Sequence, residues 1–262
     1  MKIMIDRMEL DDIGNPQKIA QFIINSNPDL QLPIPIEEIA HAAGITHIER
    51  KDNLKFEGAL LSNDVKTEGI IVCNSSSAPE RQRFTIAHEL GHFLIPMHSN
   101  KFNCATSSIS FTNNGSFINK EQEANAFASQ ILLPPSLLKK EIDRTKYMEL
   151  EKLEQIRKKF AVSLEACVRS AINFLNEPTA FIFSYEGIIK SFVYTKDFPF
   201  LGVKPKEKMP VEINVDNDYE ILNTVCRDGD FWLCDKPHLT VCEQHIITNK
   251  KRAITMLTLD ED

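Results

Sequence analysis

The chain has 262 residues, of which 42% are hydrophobic, and its formal net charge is −7. This length and composition allow one large domain or two smaller ones, while the acidic balance argues against a general nucleic-acid-binding protein. No apolar run reaches the roughly 18 residues of a membrane-spanning helix, and the charged Lys2 and Asp6 argue against a signal peptide. We therefore expect a cytoplasmic protein without a membrane partner.

The N-terminal part of the chain predicts short helices followed by strands. Helical periodicity indicates helices at residues 16–26 and 36–43, and Gly44 is a usual stop residue. Strands are predicted at residues 46–49, 56–61 and 69–73. Asn63 and Asp64 are typical of a hairpin turn between the last two of these strands.

The next helix, predicted at residues 79–94, contains the motif H-E-L-G-H at residues 88–92. His88 and His92 are four residues apart, so both imidazoles project from one helix face and can bind one metal ion. Glu89 lies about 100° further round the helix, where it can reach a water beside the metal without being a ligand. The motif is surrounded by apolar residues, namely Phe84, Ile86, Ala87, Leu90, Phe93 and Leu94. Because buried polar groups need partners, it favours a metal site over a chance match.

A catalytic zinc ion that keeps a position for water needs a third protein ligand, and His98 is one candidate. It follows His92 by six residues, the spacing of enzymes in which a glycine turn brings a third histidine to the metal. Here the glycine position is held by Ile95, a β-branched residue poorly suited to a left-handed turn. This substitution argues against His98 as the ligand.

The other two candidates, Glu121 and Glu123, lie on a helix predicted at residues 120–133. Glu121 falls roughly 50° and Glu123 roughly 105° from the centre of the apolar stripe of this helix. Glu121 is therefore the favoured ligand, because a buried carboxylate needs a cation, and Glu123 is the alternative. Asn125, one turn after Glu121, is placed to hydrogen-bond a ligating side chain. Both carboxylates are also compatible with an ordinary helix N-terminus, which favours negative charge.

The remaining segments are less specific. A loop is predicted at residues 99–118, with a short strand near 109–111, and a helix at 136–144. Residues 148–175 indicate two helices joined by a tight turn, with Ser163 as the N-cap of the second. Strands in the C-terminal region are predicted at residues 180–185, 188–194, 231–234, 245–248 and 253–259.

The six cysteines contain no C-x-x-C pair, which argues against a zinc ribbon or a thioredoxin-like motif. In a reducing cytoplasm we expect free thiols rather than disulfides. Cys226, Cys234 and Cys242 recur every eight residues, with His245 nearby. This spacing leaves a second metal site or a redox switch open, but it favours small buried residues on successive strands.

Two segments together, from Arg83 to Leu94 and from Glu121 to Pro134, resemble the ImmA/IrrE family of metallopeptidases. The resemblance covers about residues 30–175 and does not extend to residues 180–262. Residues 149–175 look like the helix-turn-helix-like segment that follows the protease core of that family. In its DNA-damage branch, the family carries a GAF-like sensor in the C-terminal region.

The resemblance implies a zincin-like core in which His88, His92 and Glu121 bind Zn²⁺ and Glu89 is the catalytic base. Several members of that family cleave a helix-turn-helix repressor of the XRE type and thereby derepress mobile-element or DNA-damage genes. A repressor or antitoxin of this kind is therefore the implied protein substrate.

Motifs and resemblance together predict an α+β protein in three parts. These are a zincin-like metallopeptidase core at residues 1–147, a helix-turn-helix-like segment at 148–178, and a mostly-β region at 179–262 that senses a signal or binds substrate. Strand 56–61 or 69–73 is the candidate edge for pairing with an extended substrate. The candidate donors to the oxyanion of the transition state are His98, Tyr147 and His238.

Two other functions remain open. One is a non-proteolytic regulatory protein that binds a repressor or antitoxin on a zincin-like scaffold; Glu89 argues against it, because a purely structural zinc site has no use for a carboxylate beside the metal. The other is a DNA-binding regulator that acts through residues 149–175. The acidic chain and the few basic residues on the second of those helices favour a packing role instead.

Overall fold

The structure is a computed structural model that describes residues 3–96, 98, 101–104, 115–144, 148–213, 219–236, 238–249 and 251–260. It divides into an N-terminal unit, residues 1–137 and 158–163, and a C-terminal unit, residues 138–157 and 164–262. The boundaries predicted after residues 147 and 178 stay predictions. Tyr147 and the strand predicted near residues 109–111 lie outside the described residues.

The first five helices belong to the N-terminal unit and span Arg7–Asp11 (α1), Pro16–Asn25 (α2), Ile36–Ala43 (α3), Pro79–Leu94 (α4) and Gly115–Leu132 (α5). Helix α2 begins at Pro16, whose fixed φ suits the first helical turn, and the Asn15 side chain accepts the Lys18 N–H. Helix α3 ends at Gly44, where φ is +111° and a Cβ would collide with the carbonyl oxygen of Thr67. Both helices, and the stop at Gly44, confirm the sequence predictions.

Three further helices follow along the chain: Pro135–Ile142 (α6), Leu150–Phe160 (α7) and Leu164–Ala171 (α8). Ala161, with φ +52°, lies in the turn between α7 and α8, and Ser163 directly precedes α8. The predicted pair of helices with a tight turn is therefore confirmed. No helix of the described residues is both long and apolar enough to cross a membrane.

The N-terminal unit contains a four-stranded mixed sheet in the order β1-β3-β2-β4. Its strands span Ile45–Lys51 (β1), Gly58–Ser62 (β2), Gly69–Asn74 (β3) and Lys101–Cys104 (β4). Strands β1 and β3 are parallel, whereas β2 is antiparallel to both of its neighbours.

This order corrects two predictions. Strands β2 and β3, the candidates for pairing with substrate, each have a neighbour on both sides, so neither is an edge of the sheet. The edge next to β2 is β4, which lies within the segment predicted as a loop at residues 99–118. Helix α5 also begins at Gly115, inside that predicted loop. The Ser-, Asn- and Thr-rich composition concealed both elements, because it is typical of turns.

The C-terminal unit contains an antiparallel sheet in the order β6-β5-β10-β9-β7, with β8 also paired to β9. Its strands span Thr179–Tyr185 (β5), Ile188–Tyr194 (β6), Glu220–Ile221 (β7), Val225–Asp228 (β8), Thr240–Asn249 (β9) and Arg252–Leu259 (β10). The mostly-β character predicted for this region is confirmed.

Strand β5 is buried on both faces of this sheet. Ala180 and Ile182 belong to an apolar cluster that includes Trp232. On the other face, the guanidinium of Arg169 from α8 lies 4.3 Å from the ring centroid of Phe183. Strand formation predicted at residues 231–234 is wrong, because Gly229–Phe231 forms a 3-10 turn that leads into the buried Trp232.

The expectation of free thiols is wrong for one pair of cysteines. Cys226 of β8 and Cys242 of β9 face each other in the antiparallel ladder and form a disulfide. Cys73, Cys167 and Cys234 are free thiols. Of the three regularly spaced cysteines, Cys226 and Cys242 therefore form a cross-strand pair and Cys234 is exposed. Strand register, not the interval in sequence, decides which side chains meet.

Candidate metal centre

Helix α4 carries the H-E-L-G-H motif in its most buried part. All residues from Thr85 to Leu94 are buried, and His92 and Glu89 have no exposed surface. His88 and His92 lie on one face, with their ring centroids 4.7 Å apart. A polar set buried this deeply is costly unless it has partners, so the neighbouring elements decide what the motif can do.

Helix α5 supplies the third donor of the centre. A Cβ at Gly91 would lie 3.3 Å from the Ala124 Cα and 3.1 Å from the Phe127 ring, so the absence of a side chain at position 91 lets α5 pack closely against α4. At this close approach, the Glu121 carboxylate lies 3.3 Å from His88 Nε2 and 3.3 Å from His92 Nε2. The two Nε2 atoms are 3.0 Å apart.

These separations fit a single metal ion. Donor atoms of a tetrahedral zinc site with bonds of about 2.0–2.1 Å lie roughly 3.3–3.4 Å from one another. One donor atom each from His88, His92 and Glu121 falls within 4.8 Å of the others, and the three residues form a group that can hold a metal ion. The protein groups around the ligands also suit this role, since the Nδ1 atom of His88 lies 3.0 Å from Asn125 Oδ1. When His88 donates its Nδ1–H to that oxygen, its Nε2 lone pair faces the other two donors.

The electrostatic environment of His92 and Glu121 favours the forms that bind metals. Burial lowers the pKa of His92 to about 4, although its interaction with Glu121 opposes the shift. Burial alone would raise the pKa of Glu121, but interactions with His88 and His92 outweigh it and hold that pKa below its usual range. Neutral imidazoles and an ionised carboxylate are the forms that bind a divalent cation.

Glu89 lies beside this group, against strand β2. A Cβ at Gly58 would come within 2.8 Å of Glu89 Oε1 and would also collide with Cγ2 of Thr85. Gly58 therefore lets the strand backbone approach the carboxylate closely. Glu89 is outside the three-donor group, in keeping with its position one residue after His88.

The two alternative ligands, His98 and Glu123, are placed behind His92. His98 Nδ1 lies 2.8 Å from His92 Nδ1, the ring nitrogen opposite the donor group, and His98 Nε2 lies 2.9 Å from Glu123 Oε2. Neither residue belongs to the three-donor group. Burial lowers the pKa of His98, while the hydrogen bond to Glu123 opposes this shift.

The structure does not bring the predicted oxyanion donors together at one place. Both ring nitrogens of His98 contact Glu123 or His92, and His238 is an exposed residue of the C-terminal unit. Tyr147 lies outside the described residues. The oxyanion donor therefore has no residue assigned to it.

Lys66, a buried lysine whose side chain reaches the C-terminal end of α4, was not identified from the sequence. It lies in the hairpin between β2 and β3 with φ +52°, and its Nζ donates to the carbonyl oxygens of His92 (2.8 Å) and Ile95 (2.9 Å). A cation here satisfies the last carbonyls of α4 and opposes the negative end of the helix dipole. Burial lowers the pKa of Lys66 to about 8. No local signal could have revealed it, because the residue is 26 positions before His92.

Comparison with known proteins supports the fold over nearly the whole chain. One solved structure, described as a Mycobacterium tuberculosis transcriptional regulator, is similar to this chain with a TM-score of 0.57 over 97% of this chain and 80% of its own. The two sequences are 14% identical, so this likeness concerns the fold alone. No curated protein matches the sequence.

A family comparison covers the metal centre itself. Residues 40–171, half of the chain, match the sequence profile of the Peptidase_M78 family, described as the IrrE N-terminal-like domain. The matched range contains His88, Glu89, His92 and Glu121. On this match, the chain belongs to the Peptidase_M78 family of IrrE N-terminal-like domains.

Proposed function

We propose that this protein is a zinc-dependent endopeptidase with a zincin-like N-terminal unit. The observation that carries the proposal is the convergence of His88, His92 and Glu121 on one point, with the buried carboxylate of Glu89 on the next position of the same helix. Two imidazoles and one carboxylate are a donor set typical of catalytic zinc. Membership of a peptidase family supports the same reaction.

Each residue of the centre has a part in peptide hydrolysis. A bound zinc ion would polarise the scissile carbonyl and lower the pKa of the attacking water. Glu89 accepts the proton of that water and then donates it to the leaving amine. His88, His92 and Glu121 hold the ion, and Asn125 orients the ring of His88 through Nδ1.

The proposed substrate is a specific protein, an XRE-type helix-turn-helix repressor or antitoxin in the cytoplasm. The resemblance to ImmA/IrrE proteins supports this class, and cleavage would release the transcription of mobile-element or stress genes. The mostly-β region at residues 179–262 is proposed to sense a signal or to bind the substrate. The alternative is a non-proteolytic binding protein. That alternative does not explain why a buried carboxylate, Glu89, lies beside the metal centre.

The test uses a proteome-derived peptide library with zinc-loaded protein, in which mass spectrometry identifies new N-termini. We expect the wild type to cleave at a restricted set of sequences. The Glu89→Gln variant should lower the rate by about 10²- to 10⁴-fold while zinc content stays unchanged. Glu80→Gln, the same change at the start of α4, is the matched control and should keep activity. Cleavage that survives in Glu89→Gln would contradict the proposed role of this residue. Stoichiometric zinc without cleavage of the library or of purified XRE-type repressors would favour the binding protein.

A further inference from the structure

We propose that His98 and Glu123 are positioning residues for the metal centre, acting on it through His92. This inference rests on the proposed zinc site and extends it by a row of side chains outside the three-donor group. Glu123, His98 and His92 form a continuous row that ends at the donor group, with contacts of 2.9 Å and 2.8 Å. The row fixes both the rotation of the His92 ring and the nitrogen that carries its proton.

The order of donors in this row follows from chemistry. The Glu123 carboxylate can only accept a hydrogen bond, so His98 Nε2 carries the hydrogen and donates it. In a neutral imidazole the other nitrogen is then an acceptor, so His98 Nδ1 accepts from His92 Nδ1–H. His92 is thereby left with a lone pair on Nε2, the atom that lies 3.3 Å from the Glu121 carboxylate.

The turn after α4 is built to keep His98 in this place. The His98 backbone N–H donates to the Ile95 carbonyl oxygen, and the Lys66 ammonium donates to the same oxygen. The His98 side chain is fully buried, and its ring centroid is 4.8 Å from that of His92. Glu123, by contrast, is 43% exposed in its side chain. The row therefore has a buried centre and one end near the solvent.

The two histidine ligands have different outer partners. His88 has the neutral amide oxygen of Asn125 at Nδ1, whereas His92 has an imidazole backed by a carboxylate. A carboxylate-backed partner makes the ligand more basic and restrains its ring more strongly than an amide does. We therefore assign to His92 the greater part in holding the metal.

A simpler explanation is that His98 is a core histidine whose polar atoms are satisfied by Glu123 and His92. Such a role predicts that a substitution changes stability but leaves the metal affinity of the folded protein unaltered. Positioning predicts instead that metal affinity depends on whether position 98 offers an acceptor where Nδ1 now lies. Two near-isosteric amides separate these explanations.

The test compares His98→Asn with His98→Gln in the full chain, by competition for zinc with a chromophoric chelator. The asparagine amide lies at the place of Nδ1 and can accept from His92, whereas the glutamine amide lies nearer the place of Nε2. We expect zinc affinity to stay close to wild type in His98→Asn and to fall by about 10- to 100-fold in His98→Gln. The visible absorption of the Co²⁺-loaded protein should change little in His98→Asn and more strongly in His98→Gln.

Glu123→Ala is a second variant that does not disturb a buried site. It should weaken zinc binding by about tenfold, whereas Gln122→Ala, on an exposed neighbouring position of α5, should leave it unchanged.

Equal affinities in His98→Asn and His98→Gln, whether both reduced or both unchanged, would overturn the proposal. If the wild type binds zinc and Glu89→Gln abolishes cleavage while these variants bind normally, only this inference fails. Absence of zinc from the wild type would reject the proposed function as well.

Discussion

Both units of the protein have a carboxylate beside histidines, but these carboxylates have different partners. In the C-terminal unit, Glu243 is 1% exposed and accepts hydrogen bonds from Arg227 Nε (2.6 Å) and Trp232 Nε1 (2.8 Å). Burial alone would raise its pKa, but interactions with His245, Arg227 and Trp232 lower it. In the N-terminal unit, Glu121 faces the Nε2 atoms of two histidines.

This difference distinguishes a structural polar cluster, around Glu243, from a candidate metal site, around Glu121. Guanidinium and indole groups can only donate, so Glu243 has the partners that a carboxylate requires. His245 likewise has its own partner, since its Nδ1 lies 2.8 Å from the Thr255 hydroxyl. His88 and His92 instead have their Nδ1 atoms against Asn125 and His98. When each ring donates its Nδ1–H to that partner, its Nε2 lone pair faces Glu121. Such a group can hold a metal ion.

The largest expected effect is the loss of metal from the N-terminal centre in Glu121→Ala. Removing a ligand should weaken zinc binding by more than about 100-fold, since loss of an outer partner alone costs about 10- to 100-fold. Equilibrium dialysis with elemental analysis measures this change, and Gln122→Ala is the control on the same helix. Normal zinc content in Glu121→Ala would show that this carboxylate resembles Glu243, a structural group, and would remove it from the ligand set.

A smaller effect is expected in the C-terminal unit from Glu243→Leu. This change leaves the buried Trp232 N–H without its acceptor, while Arg227, whose side chain is 37% exposed, regains some hydration. We expect the free energy of unfolding to fall by about 3 kcal/mol. Trp232 is the only tryptophan of the chain, so its fluorescence during urea unfolding reports on this unit. Glu186→Gln, at an exposed site, is the control; an equal shift in both variants would argue against a special role for Glu243.

The smallest effect is expected from Gly58→Ala, which tests the approach of β2 to Glu89. The new methyl group would collide with Thr85 and press on Glu89, and overpacking of this kind costs about 1–3 kcal/mol. Urea unfolding followed by far-ultraviolet circular dichroism measures the cost, and Gly14→Ala, where no atom lies within 4 Å of the added Cβ, is the control. Displacement of Glu89 should also slow peptide cleavage. Unchanged stability and activity would mean that β2 can move away from α4 freely.

The positions of His88, His92 and Glu121 on their helices could be predicted from the sequence because helix geometry is local. A four-residue interval brings His88 and His92 to one face whatever the rest of the chain does. The angle from the apolar stripe likewise favoured Glu121 over Glu123 as the buried carboxylate, and the structure brings Glu121 to both histidines. The same interval argument could not place His98, because the turn at Ile95 depends on Lys66, a residue from a distant hairpin.

The sequence alone predicted the α+β class, helix α3 with its stop at Gly44, the tight turn between α7 and α8, and the family to which the chain belongs. Each of these follows from short-range periodicity, capping or a compact motif. Three contacts became visible only in the folded protein: β4 pairs with β2, Cys226 forms a disulfide with Cys242, and Glu123 contacts His98 instead of the metal centre. Strand register and helix packing join residues far apart in the chain, and these depend on the whole core rather than on local spacing.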